Sequence, residues 1–179
     1  MPQKKFIYID KYGQLFLTLT QKFNTVYLLD SLCFSLLKKF SKFQFLSNGK
    51  VSRIFPVYFK KSPIGFFATS NSTSHFHIFD EKESKISTLN DHSKFTPNFY
   101  VNSHFVFTFS KDKKLFAYQR SHFNNSIQLT LLKSFNFEAV PLCVTYIKAM
   151  KLLVVGLSDS TLKFFTFSAN ENHLLTFPY

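Results

Sequence analysis

Tryptophan is absent from this chain of 179 residues, and glycine occurs only at Gly13, Gly49, Gly65 and Gly156. Phosphate-cradling loops and dinucleotide fingerprints need several glycines within a few residues, so enzymes built on them are excluded. Serines are plentiful, but none stands in a Gly-x-Ser-x-Gly nucleophile elbow. Cys33 and Cys143 have neither the spacing of metal ligands nor the density of a secreted disulfide framework. A reducing, intracellular compartment, cytoplasm or nucleus, is the expectation that follows. Cys143 falls inside a predicted strand and is expected to be a buried structural thiol rather than a nucleophile. Carboxylates are scarce as well, and no pair suggests general acid and base work; Glu81 and Glu83 flank a predicted hairpin turn and are expected to be solvated. No apolar run approaches the roughly 18 residues of a membrane-spanning helix. The amino terminus meets Asp10 before any signal-peptide apolar core can form. We therefore expect no catalytic residues, no cofactor, no small-molecule substrate and no membrane partner.

What the chain has instead is phenylalanine and lysine. Phe occurs 26 times within an aromatic share of 19%, in a composition that is 45% hydrophobic and 18% charged, which is that of a globular domain. The formal charge is +12, yet only Arg53 and Arg120 carry a guanidinium. Base readout and bidentate phosphate contacts favour arginine. The lysines, from Lys4 and Lys5 through Lys38, Lys39, Lys60, Lys61, Lys113 and Lys114 to Lys163, form no dominant cluster. They read first as a solvated surface, with nucleic acid as the alternative partner.

Short runs rich in β-branched and aromatic residues, bounded by turn residues, predict strands throughout. The clearest stretch is Pro141 to Ser168, with strands at Leu142 to Ile147, Lys151 to Leu157 and Thr161 to Phe167, separated by Lys148-Ala149-Met150 and Ser158-Asp159-Ser160. A fourth strand, His173 to Phe177, follows it. The same order is read three more times. The first group holds Phe6 to Asp10, Gln14 to Thr20, Thr25 to Asp30 and Phe34 to Phe40. The second holds Arg53 to Phe59, Ile64 to Ser70, His75 to Asp80 and Lys85 to Leu89. The third holds Asn98 to Val101, His104 to Ser110, Lys114 to Arg120 and Ile127 to Phe135. In the first group Val26, Leu29, Cys33, Leu36, Leu37 and Phe40 also recur at helical spacing, so a helix from about Val26 to Phe43 competes with two strands. The repeat decides for strands.

The repeat is visible by column. The third strands begin at Thr25, His75, Lys114 and Thr161, about 45 residues apart, the period of a four-stranded propeller blade. In the six residues from each start, the second, fourth and fifth columns are apolar or aromatic in every row. The pattern resembles the WD-repeat family of β-propellers, whose third strand ends in an aromatic followed by Asp; Phe79-Asp80 comes nearest and Leu29-Asp30 is weaker. A second family mark is a His in the loop entering the blade, hydrogen-bonded to an Asp in the turn between the second and third strands. His92 and Asp112 stand where that pair would be, and Asp159 occupies the Asp position in the fourth group. The chain departs from the family in lacking Trp and in having no Gly before His92.

The resemblance implies an all-β fold, a single partial β-propeller domain spanning 1–179. Its four four-stranded blades lie at about 4–46, 50–90, 95–137 and 140–179, part of a WD-type ring of about seven. Asp30, Asp80, His92, Asp112 and Asp159 would be turn and blade positions that hold the fold. Four blades would leave two apolar faces and two sheet edges open. A portion of a longer ring is expected, with closure by a partner or a small four-bladed ring as the other solutions. By the resemblance, the chain would be a non-catalytic scaffold for protein–protein interactions. The alternative is a basic subunit associated with nucleic acid, in an RNA-binding or RNA-modifying complex. Loops sharing one surface in the family would bring Lys22, Lys50, Lys94 and Lys113 to one side for partner binding. No metal site is expected: His75 and His77, with His92 or His104 as a third ligand, form the sharpest candidate, and imidazoles on a strand are usually ordinary residues.

Overall fold

The computed structural model describes residues 4–9, 14–19, 26–30, 36–40, 51–59, 62–70, 76–80, 85–94, 98–123 and 126–167. The chain divides into two compact units, Met1–Asn90 and Asp91–Tyr179. Both are built from antiparallel sheets in which each strand pairs with the next in sequence.

The first unit contains two such meanders. β1 (Lys4–Ile9), β2 (Gln14–Leu19), β3 (Val26–Asp30) and β4 (Leu36–Phe40) form one sheet in that order; β5 (Val51–Phe59), β6 (Ser62–Ser70), β7 (Phe76–Asp80) and β8 (Lys85–Leu89) form the other. The competing helix is thus replaced by β3 and β4, whose register pairs Val26 with Phe40 and Leu29 with Leu36. Asp30 ends β3 opposite Gln14, and Asp80 ends β7 opposite Gly65. Phe67 and Ile78 face one another across β6 and β7 and are both buried, as are Ala68 and Thr69, so β6 is covered on both faces.

The second unit stacks two sheets. β9 (Asn98–Val101), β10 (Phe105–Phe109), β11 (Lys114–Phe123) and β12 (Ser126–Asn136) form the third sheet. β13 (Pro141–Ile147), β14 (Leu152–Leu157) and β15 (Leu162–Thr166) form the described part of the fourth, with a single 3-10 turn, Lys148–Met150, after β13. The predicted strand at His173 to Phe177 lies outside the described residues.

Period-two alternation places the core. Phe105, Phe107 and Phe109 of β10, Leu115 and Ala117 of β11 and Phe135 of β12 line one face of the third sheet. Val144, Leu153, Val155, Leu157, Phe165 and Phe167 line the facing side of the fourth. The phenylalanines meet edge to face, Phe105 with Phe167 at 5.1 Å and Phe107 with Phe167 at 5.4 Å between ring centres. Such geometry suits aromatic quadrupoles, and six phenylalanines share the sheet interface with six aliphatic side chains. This explains how a chain so rich in phenylalanine packs.

Cys143 corrects one expectation. It lies in β13 as predicted, but its side chain is exposed. A register irregularity between Pro141 and Cys143 breaks the alternation, so Leu142 and Cys143 both face outward while Pro141 and Val144 are buried. The strand pattern alone could not reveal that bulge.

Candidate functional site

The most organised polar cluster in the described residues joins the loop leading into the third sheet to the turn between β10 and β11. His92 is 5% exposed. Its Nδ1 lies 2.9 Å from Asp112 Oδ2 and 3.1 Å from Oδ1, and its Nε2 lies 2.9 Å from Thr108 Oγ1. Burial lowers the His92 pKa below its usual 6.5, against the opposing pull of Asp112. The ring is therefore neutral at pH 7. A carboxylate only accepts, so Nδ1–H donates to Asp112 and Nε2 accepts from the Thr108 hydroxyl. The edge of the imidazole also packs on Phe116, 4.8 Å between centres.

Asp112 is the hub. Besides His92 it accepts from the backbone N–H of Ser93 at 3.0 Å and of Lys114 at 3.1 Å. A further bond runs from Ser110 Oγ to the carbonyl of Lys94 at 3.2 Å. Beside this cluster the Tyr118 hydroxyl donates a short hydrogen bond to Asp91, and burial raises the Tyr118 pKa well above its usual range. Tyr118 stands in the fifth column of the repeat, at the aromatic position. The sequence reading named His92 and Asp112 but missed Thr108, Asp91 and the polar use of Tyr118. The aromatic column was a usable signal for Tyr118; nothing in the sequence marked Thr108, one of many hydroxyl residues in strands.

Thr108, His92 and Asp112 are spaced like a nucleophile, a base and its orienting carboxylate. Their burial decides what they do. Thr108 is 1% exposed, so no substrate carbonyl can reach its hydroxyl. The trio instead ties two loops together. Because both imidazole nitrogens are engaged, His92 has no lone pair for a metal. Among the described residues no three His, Cys, Asp or Glu side chains converge on one point. His75, Glu81 and Glu83 lie outside the described residues.

The fourth sheet repeats the turn. Ser110 and Lys114 bracket the first turn: Lys113 N–H donates to Ser110 O at 3.2 Å and Ser110 N–H to Lys114 O at 3.4 Å. Leu157 and Thr161 bracket the second: Ser160 N–H donates to Leu157 O at 3.2 Å and Leu157 N–H to Thr161 O at 2.9 Å. Lys113 and Ser160 both adopt left-handed backbone, φ 64° and 66°. In each turn the Asp accepts from the N–H two residues on; Thr161 donates to Asp159 from its N–H at 3.1 Å and from its hydroxyl at 2.7 Å. Those bonds hold the Asp159 pKa below its usual value. The lead-in loop is tied here through Ser158 rather than a His: Ser158 N–H donates to Val140 O at 2.8 Å, and Val140 N–H to Ser158 Oγ at 3.1 Å.

Lys94 and Lys113 are brought together by these bonds, one on the lead-in loop and one in the clamped turn, both exposed. Lys111 and Lys114 join them as exposed neighbours. Lys22 and Lys50 lie outside the described residues. No helix among the described residues is long and apolar enough to cross a membrane. No protein-family model matches the chain, and no curated protein matches it.

Proposed function

We propose that the chain is a non-catalytic interaction scaffold of WD-repeat type, a partial β-propeller that works in a reducing compartment by holding protein partners. The observation that carries this reading is the pair of matching clamped turns at Asp112 and Asp159. Each closes the second and third strands of its sheet and fastens the lead-in loop, the first of them through the His–Asp bond that the resemblance implies. The buried polar groups are spent on fixing loops, which gives a rigid frame for presenting them.

The test is affinity capture with the full chain. A protein partner held in stoichiometric amount, and retained after nuclease treatment, is the expected result. Absence of any stoichiometric protein contradicts the reading.

One observation favours a second reading. Lys94, Lys111, Lys113 and Lys114 crowd one clamped loop pair. Protein interfaces are depleted in lysine, whereas lysine neutralises backbone phosphates as a point charge even without the bidentate contacts that favour arginine. On that reading, affinity for a single-stranded RNA falls with salt at a log–log slope of about −0.7 per phosphate neutralised. Replacing Lys94 and Lys113 with Glu reduces the slope. No binding at low salt excludes it.

A further inference from the structure

Four consecutive residues fasten the loop that opens the second unit. The Tyr118 hydroxyl donates to Asp91, His92 bonds to Asp112 and Thr108, the Ser93 N–H donates to Asp112, and the Ser110 hydroxyl donates to the Lys94 carbonyl. Asp91–Lys94 is thus a strap laid along the hairpin of β10 and β11. Asp91, Ser93 and Lys94 are exposed, and His92 is the one buried residue of the four. Hydrogen bonds that border solvent exchange readily for bonds to water and add little net stability. The strap is held down chiefly by its imidazole.

That imidazole sits in a site built for a neutral ring. Nδ1–H donates to Asp112, and Nε2 accepts from Thr108 at 2.9 Å. A second proton would set an Nε2–H against the hydroxyl hydrogen that Thr108 turns toward it, and would place a positive charge in a site 5% exposed. The groups that face the ring are Asp112 from the turn, Thr108 from β10, Phe116 from β11 and Asp91 from the strap itself, which Tyr118 of β11 caps. Lys94, Lys111, Lys113 and Lys114 are exposed. Asp112 and Asp91 draw a proton onto the ring, but burial outweighs them and the pKa falls below 6.5. In water the ring regains its ordinary affinity, so lifting the strap takes up a proton as pH falls below 6.5.

We propose that Asp91–Lys94 is a proton-operated strap, closed on the β10–β11 hairpin while His92 is neutral and released when the ring is protonated. Release is local. The turn keeps its own bonds, Lys113 N–H to Ser110 O and Lys114 N–H to Asp112, which do not involve the strap. Because the strap carries Lys94 and the turn carries Lys113, release parts two of the lysines expected to bind a partner. That consequence rests on the scaffold reading; the strap itself does not.

The test is amide exchange of the full chain, followed residue by residue by NMR at pH 7.5 and 5.5 and divided by the unstructured-peptide rate at each pH. One proton taken up on opening raises the open population by about tenfold between those values, so the Ser93 amide is expected to lose about tenfold in protection. Lys114 shares the Asp112 carboxylate with Ser93 but lies within the turn, and its amide is expected to keep its protection, as are those of Phe107 and Val155 in the core. In His92→Gln, whose side chain takes no charge, Ser93 protection is expected to be the same at both pH values. Equal losses at Ser93 and Lys114 overturn the proposal, because Asp112 is then the group that titrates. So does a parallel loss at Phe107 and Val155, which is global unfolding, or a Ser93 amide indifferent to pH in the native chain. The native-chain comparison needs no variant and decides the matter even where His92→Gln fails to fold. Strap and scaffold also fail separately. A stoichiometric protein captured at pH 7.5 by a chain whose Ser93 amide ignores pH overturns the strap alone; a pH-sensitive Ser93 amide in a chain that captures no protein supports the strap and overturns the scaffold reading.

Discussion

A buried neutral imidazole makes the stability of this chain depend on pH in a defined sense. Because the folded pKa of His92 lies below 6.5, the unfolded state binds its proton more readily. The groups that face the ring are Asp112, Asp91, Thr108 and Phe116. The His92 contribution is complete above pH 6.5 and is lost as pH falls from 6.5 through the folded value. Chemical denaturation at pH 7.5 and 5.5 should show the loss, and His92→Gln should flatten that part of the profile; equal slopes in both proteins contradict the assignment. Removing Asp112 leaves the buried His92 Nδ1–H unpaired, so Asp112→Ala costs about 2 kcal/mol. Left-handed backbone at a residue with a Cβ costs about 1 kcal/mol. Ser160→Gly is accordingly expected to raise the denaturation midpoint slightly, and a lowered midpoint counts against the turn geometry. Asp112 and Asp159 were legible in the sequence because turn chemistry is local, and His92, 20 residues from Asp112, because the resemblance names such a pair. Thr108 and Asp91, whose partners are 16 and 27 residues away, had neither signal.

Strand order was legible for a related reason. Period-two apolar patterns and turn residues are short-range signals, and they located all fifteen described strands to within a few residues. The helical spacing of Val26 to Phe40 was a coincidence that local pattern could not reject and the repeat could. What the pattern could not supply was the outward turn of Cys143, since one extra residue in β13 reverses which side chains face the core. The sheet interface gives a sharp contrast in substitution energies. Phe107 is fully buried between the third and fourth sheets, so Phe107→Ala should cost about 3–5 kcal/mol. Leu162→Ala, at a side chain that is 58% exposed, should change stability by no more than about 0.5 kcal/mol. Denaturant melts of the two variants compare them directly; similar losses contradict this placement of the two side chains.

For the molecule as a whole, function was the least legible layer. Glycine-rich motifs and nucleophile elbows announce themselves in sequence; a loop that holds a protein partner has no such signature. The central claim is the proposed scaffold reading, and affinity capture with the full chain followed by nuclease treatment tests it most directly. The reading predicts a stoichiometric protein that is retained after the nuclease. Capture of RNA with no stoichiometric protein contradicts it.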